Sequence, residues 1–337
     1  MSLDDRFDEL VSALSGFYRT WVVFIGLELR FFTALRNAGA DGMTADELAE
    51  WADCQPTPVA AWTRAAHAFE LVSIGDGRVA VDEDVARVLL DEQRPEYLGG
   101  QFVSTIVASL DYEGLLDFFR TGVALDPRPA RYRRAVERLT AQDIAVFFQE
   151  ALGQLPDLVA GLSRGGRVVD IHCGAGRWLV AMARRFPELD LVGIEFESDT
   201  AERAVAKVAA AQLAGRIMIE NRPVPAMGHE GEFDLAYLQY ALHQLEEPIE
   251  SLAAAWRSLR PGGRLLALDW CLPSTLEEDR TLLGELLWGI QIDELYAGSR
   301  LYTREGEADL FRQAGLAEPT LIDLPSGASL FLLHREG

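Results

Sequence analysis

The stretch Val168–Val180, VVDIHCGAGRWLV, decides how the chain is read. A β-branched run closes on Asp170, a turn containing Gly174 and Gly176 follows, and the helix-forming segment GRWLVAMARRF begins. The two glycines let the backbone bend sharply and approach a ligand where a Cβ would clash. The helix start behind them offers free N–H groups and a positive dipole end, suited to a carboxylate or phosphate. His172 stands where loops of this kind usually carry their first glycine.

Downstream, strand and helix patterns alternate as a parallel sheet with crossover helices requires. DLVGIE reads as strand, TAERAVAKVAAAQ as helix, RIMIE and FDLAYLQ as strands, and PIESLAAAWRSLR as helix. A PGG turn then leads into the strand LLALDW. The tail reads as a helix, EADLFRQAGL, followed by the hairpin TLIDLP and SLFLLHR, which places an antiparallel strand at the sheet edge. Glu195 closes the second strand, where a carboxylate can accept both hydrogen bonds from a ribose diol. Loop, acid and strand order together point to a nucleotide-like cofactor.

Upstream of Arg167 the pattern is helical. Thr44 with Glu47 three residues on forms a capping box before LAEWA. A second helix, AAWTRAAHAFELV, leads into a hairpin around Gly75-Asp76-Gly77 closed by RVAVD. Helix, turn, helix and small wing describe a winged-helix arrangement. Residues 1–100 carry eighteen acidic side chains against eight arginines, so this module has little with which to hold phosphate, and a dimerisation role is expected. The segment FYRTWVVFIGLELRFFTAL is apolar around most of its circumference and needs burial on several sides, which a second copy can supply. The domains expected are 1–100 (winged helix and dimerisation), 101–163 (helical linker and substrate-pocket helices) and 164–337 (cofactor-binding sheet). The aromatic-rich helices around Tyr112, Phe118 and Phe119 are expected to roof an acceptor pocket.

The 337-residue chain has net charge −22, and Lys207 is its one lysine. That charge argues against nucleic acid and anionic membranes as partners. No apolar run is expected to reach the roughly 18 residues of a membrane span. Because the acidic start MSLDDRFDEL lacks the order of a signal peptide, a cytoplasmic location is expected. Cys54, Cys173 and Cys271 lie far apart, which suggests neither disulfides nor a metal site.

Five segments carry a resemblance to a family: VVDIHCGAGR, GIEFE, FDLAYLQYALHQL, LRPGGRLLALDWCLP and the terminal hairpin. Over nearly its whole length the chain resembles the class I S-adenosylmethionine (SAM)-dependent methyltransferases, especially small-molecule O-methyltransferases with an N-terminal winged-helix domain. The resemblance implies an α/β fold with a Rossmann-like, seven-stranded SAM-binding sheet, and a homodimer joined through N-terminal helices. It implies that Asp170, Gly174 and Gly176 hold the methionine end of SAM. By the same resemblance Glu195 holds the ribose, Phe196 lies beside the adenine, and Gln239 helps at the adenine or ribose end. It also implies a catalytic base at His243, in ALHQLEEP, and an orienting acid at Asp269, in LLALDWCLP. A carboxylate behind a histidine fixes its tautomer and raises its basicity.

The chain departs from the family at three places. His172 replaces a glycine and lines the methionine pocket, meets the substrate or points away. Asn221, in RIMIENRPVP, stands where an acid usually lies near the adenine. Arg300, Leu301 and Tyr302 fill the stretch that carries a second catalytic glutamate in the plant-type enzymes. The expected activity is methyl transfer to a small, partly apolar acceptor at a hydroxyl or carboxyl oxygen. The alternatives are a SAM-binding relative that performs a different reaction, and a ligand-sensing winged-helix protein.

Overall fold

The computed structural model describes residues 2–125 and 127–336. The chain divides into two compact units, one of residues 1–113 with 129–142, the other of 114–128 with 143–337. The helices expected between 101 and 163 are therefore shared between the units.

In the first unit, helix Leu3–Glu28 is followed by Phe31–Ala38, Ala45–Trp51 and Pro56–Ala68. Strands β1 (Val72–Gly75) and β2 (Arg78–Val81) then pair antiparallel. Asp76 and Gly77 both have positive φ (51° and 76°), the conformation a two-residue type I′ hairpin demands. The Thr44–Glu47 capping box is present in both directions. The apolar segment expected to run as one helix is broken at Arg30, which adopts φ 60° and starts the helix Phe31–Ala38. Phe31, Phe32, Leu35, Leu48 and Trp62 build the core behind that break.

Helix Leu3–Glu28 is long and apolar enough to cross a membrane by length and composition. The apolar run was expected to stop short because Glu28 and Arg30 interrupt it; it extends upstream instead, and between Leu10 and Leu27 the only charge is Arg19. Only 17% of that helix window is buried.

Among the described residues, the second unit holds seven strands: β3 (Gly166–Ile171), β4 (Leu189–Glu195), β5 (Ile217–Asn221), β6 (Phe233–Gln239), β7 (Leu259–Asp269), β8 (Thr320–Asp323) and β9 (Ser329–His334). Their spatial order is β5-β4-β3-β6-β7-β9-β8, parallel from β5 to β7, with β9 antiparallel to both its neighbours. The antiparallel strand thus lies one place in from the edge, and β8 forms the edge. Burial explains the difference: in β9 Ser329–Leu333 are all buried, whereas β8 is largely exposed, as an edge strand can be.

Alternate residues of each strand enter two separate cores. Val168, Leu191, Leu235 and Leu266 face helices Arg177–Arg185 and Pro156–Leu162. Val169, Val192, Ala236 and Leu265 face helices Pro248–Ser258 and Arg304–Gln313. This is the period-two partition of a sheet covered on both faces. The expected PGG turn appears as an irregularity inside β7. Phe233 pairs with Leu259 and Leu235 with Arg264, so two steps along β6 match five along β7, and Gly262 takes φ 82° in the slack. Beyond it, β7 runs in regular register with β6 to Leu268 and with β9 to Asp269.

Candidate active site

All the side chains singled out in the sequence for a cofactor or catalytic role lie in the second unit, at the C-terminal ends of β3, β4, β5, β6 and β7 and in the loops that follow. In open parallel sheets that end is where ligands bind.

After β3 the backbone turns through His172 (φ 62°), Gly174 (φ 53°) and Gly176 (φ 71°) before the helix at Arg177. A Cβ added at Gly174 meets nothing within 4 Å, so the loop faces open space there. Gly176 approaches helix Ser198–Ala210, where an added Cβ would lie 3.3 Å from Ala204 Cβ. Gly174 N–H donates to Glu195 Oε2 at 3.0 Å, and Glu197 N–H donates to Glu195 Oε1 at 2.9 Å. The Glu195 carboxylate is 1% exposed and fixed by backbone donors. Asp170 is buried in the end of β3; burial first, and the Glu195 charge second, push its carboxyl well above the usual range.

Phe196 keeps 44% of its surface exposed, with the His172 ring stacked on it at 5.5 Å and 19°. Asn221 at the end of β5 donates through Nδ2 to the carbonyls of Glu195 (2.9 Å) and Phe196 (3.0 Å), and accepts from Ser198 Oγ at 3.0 Å. Its amide therefore secures the β4 turn, a task that a carboxylate, lacking donors, cannot do. Gln239 ends β6, and its Oε1 accepts from Tyr237 Oη at 3.2 Å.

His243 lies in the short turn Leu242–Gln244 after β6, and Asp269 is the last residue of β7. The structure brings them together: His243 Nδ1 is 3.1 Å and 3.2 Å from the two Asp269 oxygens. Asp269 Oδ1 also accepts from Trp270 N–H at 2.9 Å. The side chains are 6% and 1% exposed. Burial opposes a charge on the imidazole. The Asp269 charge and hydrogen bond outweigh it, with help from Glu294 and Asp143, and raise the His243 pKa to about 9. With Nδ1–H held by Asp269, Nε2 is the nitrogen left to exchange a proton.

Sequence reasoning missed several neighbours of this pair. Asp143 is partly buried as a residue, but its carboxyl is kept from water and near the Asp269 charge, which pushes its pKa up to about 8. Glu294, on helix Leu282–Tyr296, adds negative potential at His243. Tyr240 (φ 48°) stacks on Trp270 at 5.9 Å. Burial and the nearby acids push its hydroxyl well above the usual range. Glu307 is 0% exposed and likewise raised, first by burial and then by Asp269. None of these has a motif around it; only Glu307, in an otherwise amphipathic helix, interrupts a pattern that a sequence shows. Of the expected roof residues, Phe118 packs on Tyr296 at 5.6 Å and Phe119 is 66% exposed.

Comparison with known proteins bears on the fold and the domain. Residues 168–263 match the methyltransferase domain family. The chain is 30% identical over 169 residues to 27-O-demethylrifamycin SV methyltransferase of Amycolatopsis mediterranei, covering 47% of this chain and 62% of that protein. It is 31% identical over 231 residues to aclacinomycin 10-hydroxylase RdmB of Streptomyces purpurascens, covering 62% of this chain and 57% of that one. The matches thus span less than two thirds of either relative. Among solved structures, the mitomycin 7-O-methyltransferase MmcR superposes with a TM-score of 0.72 at 19% identity, over 98% of both chains.

Proposed function

We propose that this chain, which has the class I SAM-dependent methyltransferase fold and a methyltransferase domain over residues 168–263, transfers a methyl group to a hydroxyl of a small, partly apolar acceptor. SAM is the cofactor of this class, and the residues present fit it. Gly174 leaves open space, Glu195 offers a fixed carboxylate for a diol, and Phe196 offers an exposed ring face. Asp170, Gly174 and Gly176 would hold its methionine end, Glu195 its ribose, and Phe196 its adenine, with Asn221 and Gln239 bordering that end. When bound, SAM supplies an electrophilic methyl on a sulfonium, released as S-adenosylhomocysteine once the carbon is taken.

The observation that carries the reading is the buried His243–Asp269 pair at the strand ends beside that loop. As the acceptor oxygen forms its bond to the methyl carbon, its proton passes to His243 Nε2. Asp269 keeps Nδ1–H in place and stabilises the resulting imidazolium. Positioned bases contribute about 10²–10⁴-fold to such steps. The Asp269 and Glu294 charges that act on the imidazole favour a neutral hydroxyl over an anionic carboxylate as acceptor, since like charge repels the latter.

The N-terminal unit is proposed to join two copies. Leu3, Phe7, Leu10, Leu14 and Phe17 follow the alternating four-and-three spacing of a coiled-coil seam, and all are 53% or more exposed. A second copy covers such a seam with its own.

One relative favours a second reading: RdmB is named a hydroxylase rather than a methyltransferase. Incubation with SAM and a panel of phenols, alcohols, acids and amines separates the two. Formation of S-adenosylhomocysteine in step with methylated product supports methyl transfer. Acceptor conversion without S-adenosylhomocysteine supports the other chemistry.

A further inference from the structure

His172 holds a left-handed backbone conformation, φ 62°, that glycine adopts freely and a residue with a Cβ adopts at a cost. Strain of this kind persists only where surrounding contacts over-determine it, and it collects at functional sites. The contacts here are specific. The ring stacks on Phe196, Nδ1 lies 3.4 Å from Glu195 Oε2, and Nε2 lies 3.3 Å from Gln244 Oε1. Glu195 is the carboxylate fixed by the Gly174 and Glu197 amides. Gln244 ends the three-residue turn that bears His243. One imidazole therefore touches both the proposed ribose carboxylate and the turn of the proposed base.

The contact at Nδ1 is incomplete. That atom is buried and makes no aligned hydrogen bond, although an acceptor oxygen lies within 3.4 Å. A buried polar atom without a partner is unfavourable, so the ring does not sit at its best hydrogen-bonding position. A ligand that hydrogen-bonds to Glu195 changes what Nδ1 faces, and the other ring nitrogen carries that change to Gln244. A glycine would build the same loop without the strain, but it would leave the cofactor carboxylate and the base turn without a shared contact.

We propose that His172 is a positioning residue that couples occupancy of the Glu195 site to the placement of His243, through the contacts Glu195–His172–Gln244. The inference rests on the methyltransferase reading and adds to it a route between cofactor and base.

The test is a double-mutant cycle on His172→Gly and Gln244→Ala, with S-adenosylhomocysteine as the probe, its affinity measured by calorimetry and the His243 imidazole followed by NMR. Gln244→Ala is expected to weaken binding about five- to tenfold, at the low end of coupling between sites, although Gln244 does not touch Glu195. His172→Gly is expected to weaken it by about the same factor, and the double variant by no more than either single change, because both break one path. In the wild type the probe shifts the His243 imidazole signals; in both single variants that shift falls by at least half. His172→Gly should melt no lower than wild type, since strain is released. His172→Asn, which tolerates positive φ, should give the same loss of coupling if the glycine variant folds poorly. Wild-type affinity in Gln244→Ala, effects that multiply in the double variant, or an undiminished His243 shift overturns the coupling. A wild-type chain that binds no S-adenosylhomocysteine overturns the methyltransferase reading itself, so the two failures are told apart.

Discussion

Replacing Asp269 by asparagine keeps the shape of the pair with His243 and removes its charge. In the wild type the imidazole is buried, which by itself disfavours the protonated form, and the Asp269 carboxylate outweighs that to bring the pKa to about 9. Without the carboxylate, burial dominates and the pKa should fall to the ordinary histidine value of about 6.5 or below. That drop, from about 9 to about 6.5 or below, is worth roughly 3.5 kcal/mol of differential interaction, scaled from about 1.4 kcal/mol per pH unit. The sign for stability follows. A histidine whose folded pKa is raised stabilises the fold in full below its unfolded pKa near 6.5, and loses that contribution as pH rises through about 9. Asp269→Asn should therefore destabilise the protein without cofactor by about 3.5 kcal/mol below pH 6, and by little above pH 10. The assay is an NMR titration of the His243 imidazole in both proteins, paired with urea melts at pH 6 and pH 10. An Asp269→Asn protein whose His243 still titrates near 9, or whose stability deficit is the same at both pH values, refutes the argument.

Three further outcomes are expected. Glu195→Ala should lower S-adenosylhomocysteine affinity by about 1.5–3 kcal/mol, the scale of hydrogen bonds to a charged group, measured by calorimetry. His243→Ala should leave that affinity nearly unchanged while turnover falls about 10²–10⁴-fold, and wild-type kcat/KM should rise with pH toward about 9 as the free imidazole loses its proton; a packing histidine would lower the melting temperature and leave turnover intact. Leu10→Asp with Leu14→Asp should convert a dimer to a monomer by light scattering, because both residues are more than 60% exposed in the helix Leu3–Glu28 and sit in its apolar seam.

The parallel part of the sheet was legible in the sequence because each strand is a short β-branched or leucine-rich run bounded by glycine, proline or acid, and each crossover helix has its own apolar stripe. The order of the last two strands was not. TLID and SLFLLH differ in burial rather than in length, and local pattern does not say which one enters the sheet. Arg30 hid the break between the first two helices, since a left-handed arginine has no sequence signature of the kind a glycine provides. At the site, His243 and Asp269 were reached through the family resemblance that ALHQLEEP and LLALDWCLP carry, and the structure brings the two side chains together. Asp143, Glu294 and Gln244 were not legible, because they reach the site from separate helices and turns, through tertiary packing alone.

The slack in β7 bears on which changes of chain length the protein tolerates. Pro261, Gly262 and Gly263 lie where five residues of β7 span two of β6, before the regular ladder begins at Arg264. Side chains alternate along a strand, so a one-residue slip beyond that point would turn Leu268 toward His243 and send Asp269 to the opposite layer. An insertion or deletion among Arg260–Gly263 can be taken up by the irregular loop without moving the ladder. The same edit between Leu265 and Leu268 cannot, because β9 pins that stretch from the other side through Leu265↔Leu333 and Asp269↔Ser329. Length variation that spares the active site is thus confined to the glycine-bearing start of the strand, and its leucine-rich half acts as a fixed ruler that delivers Asp269 to the correct face.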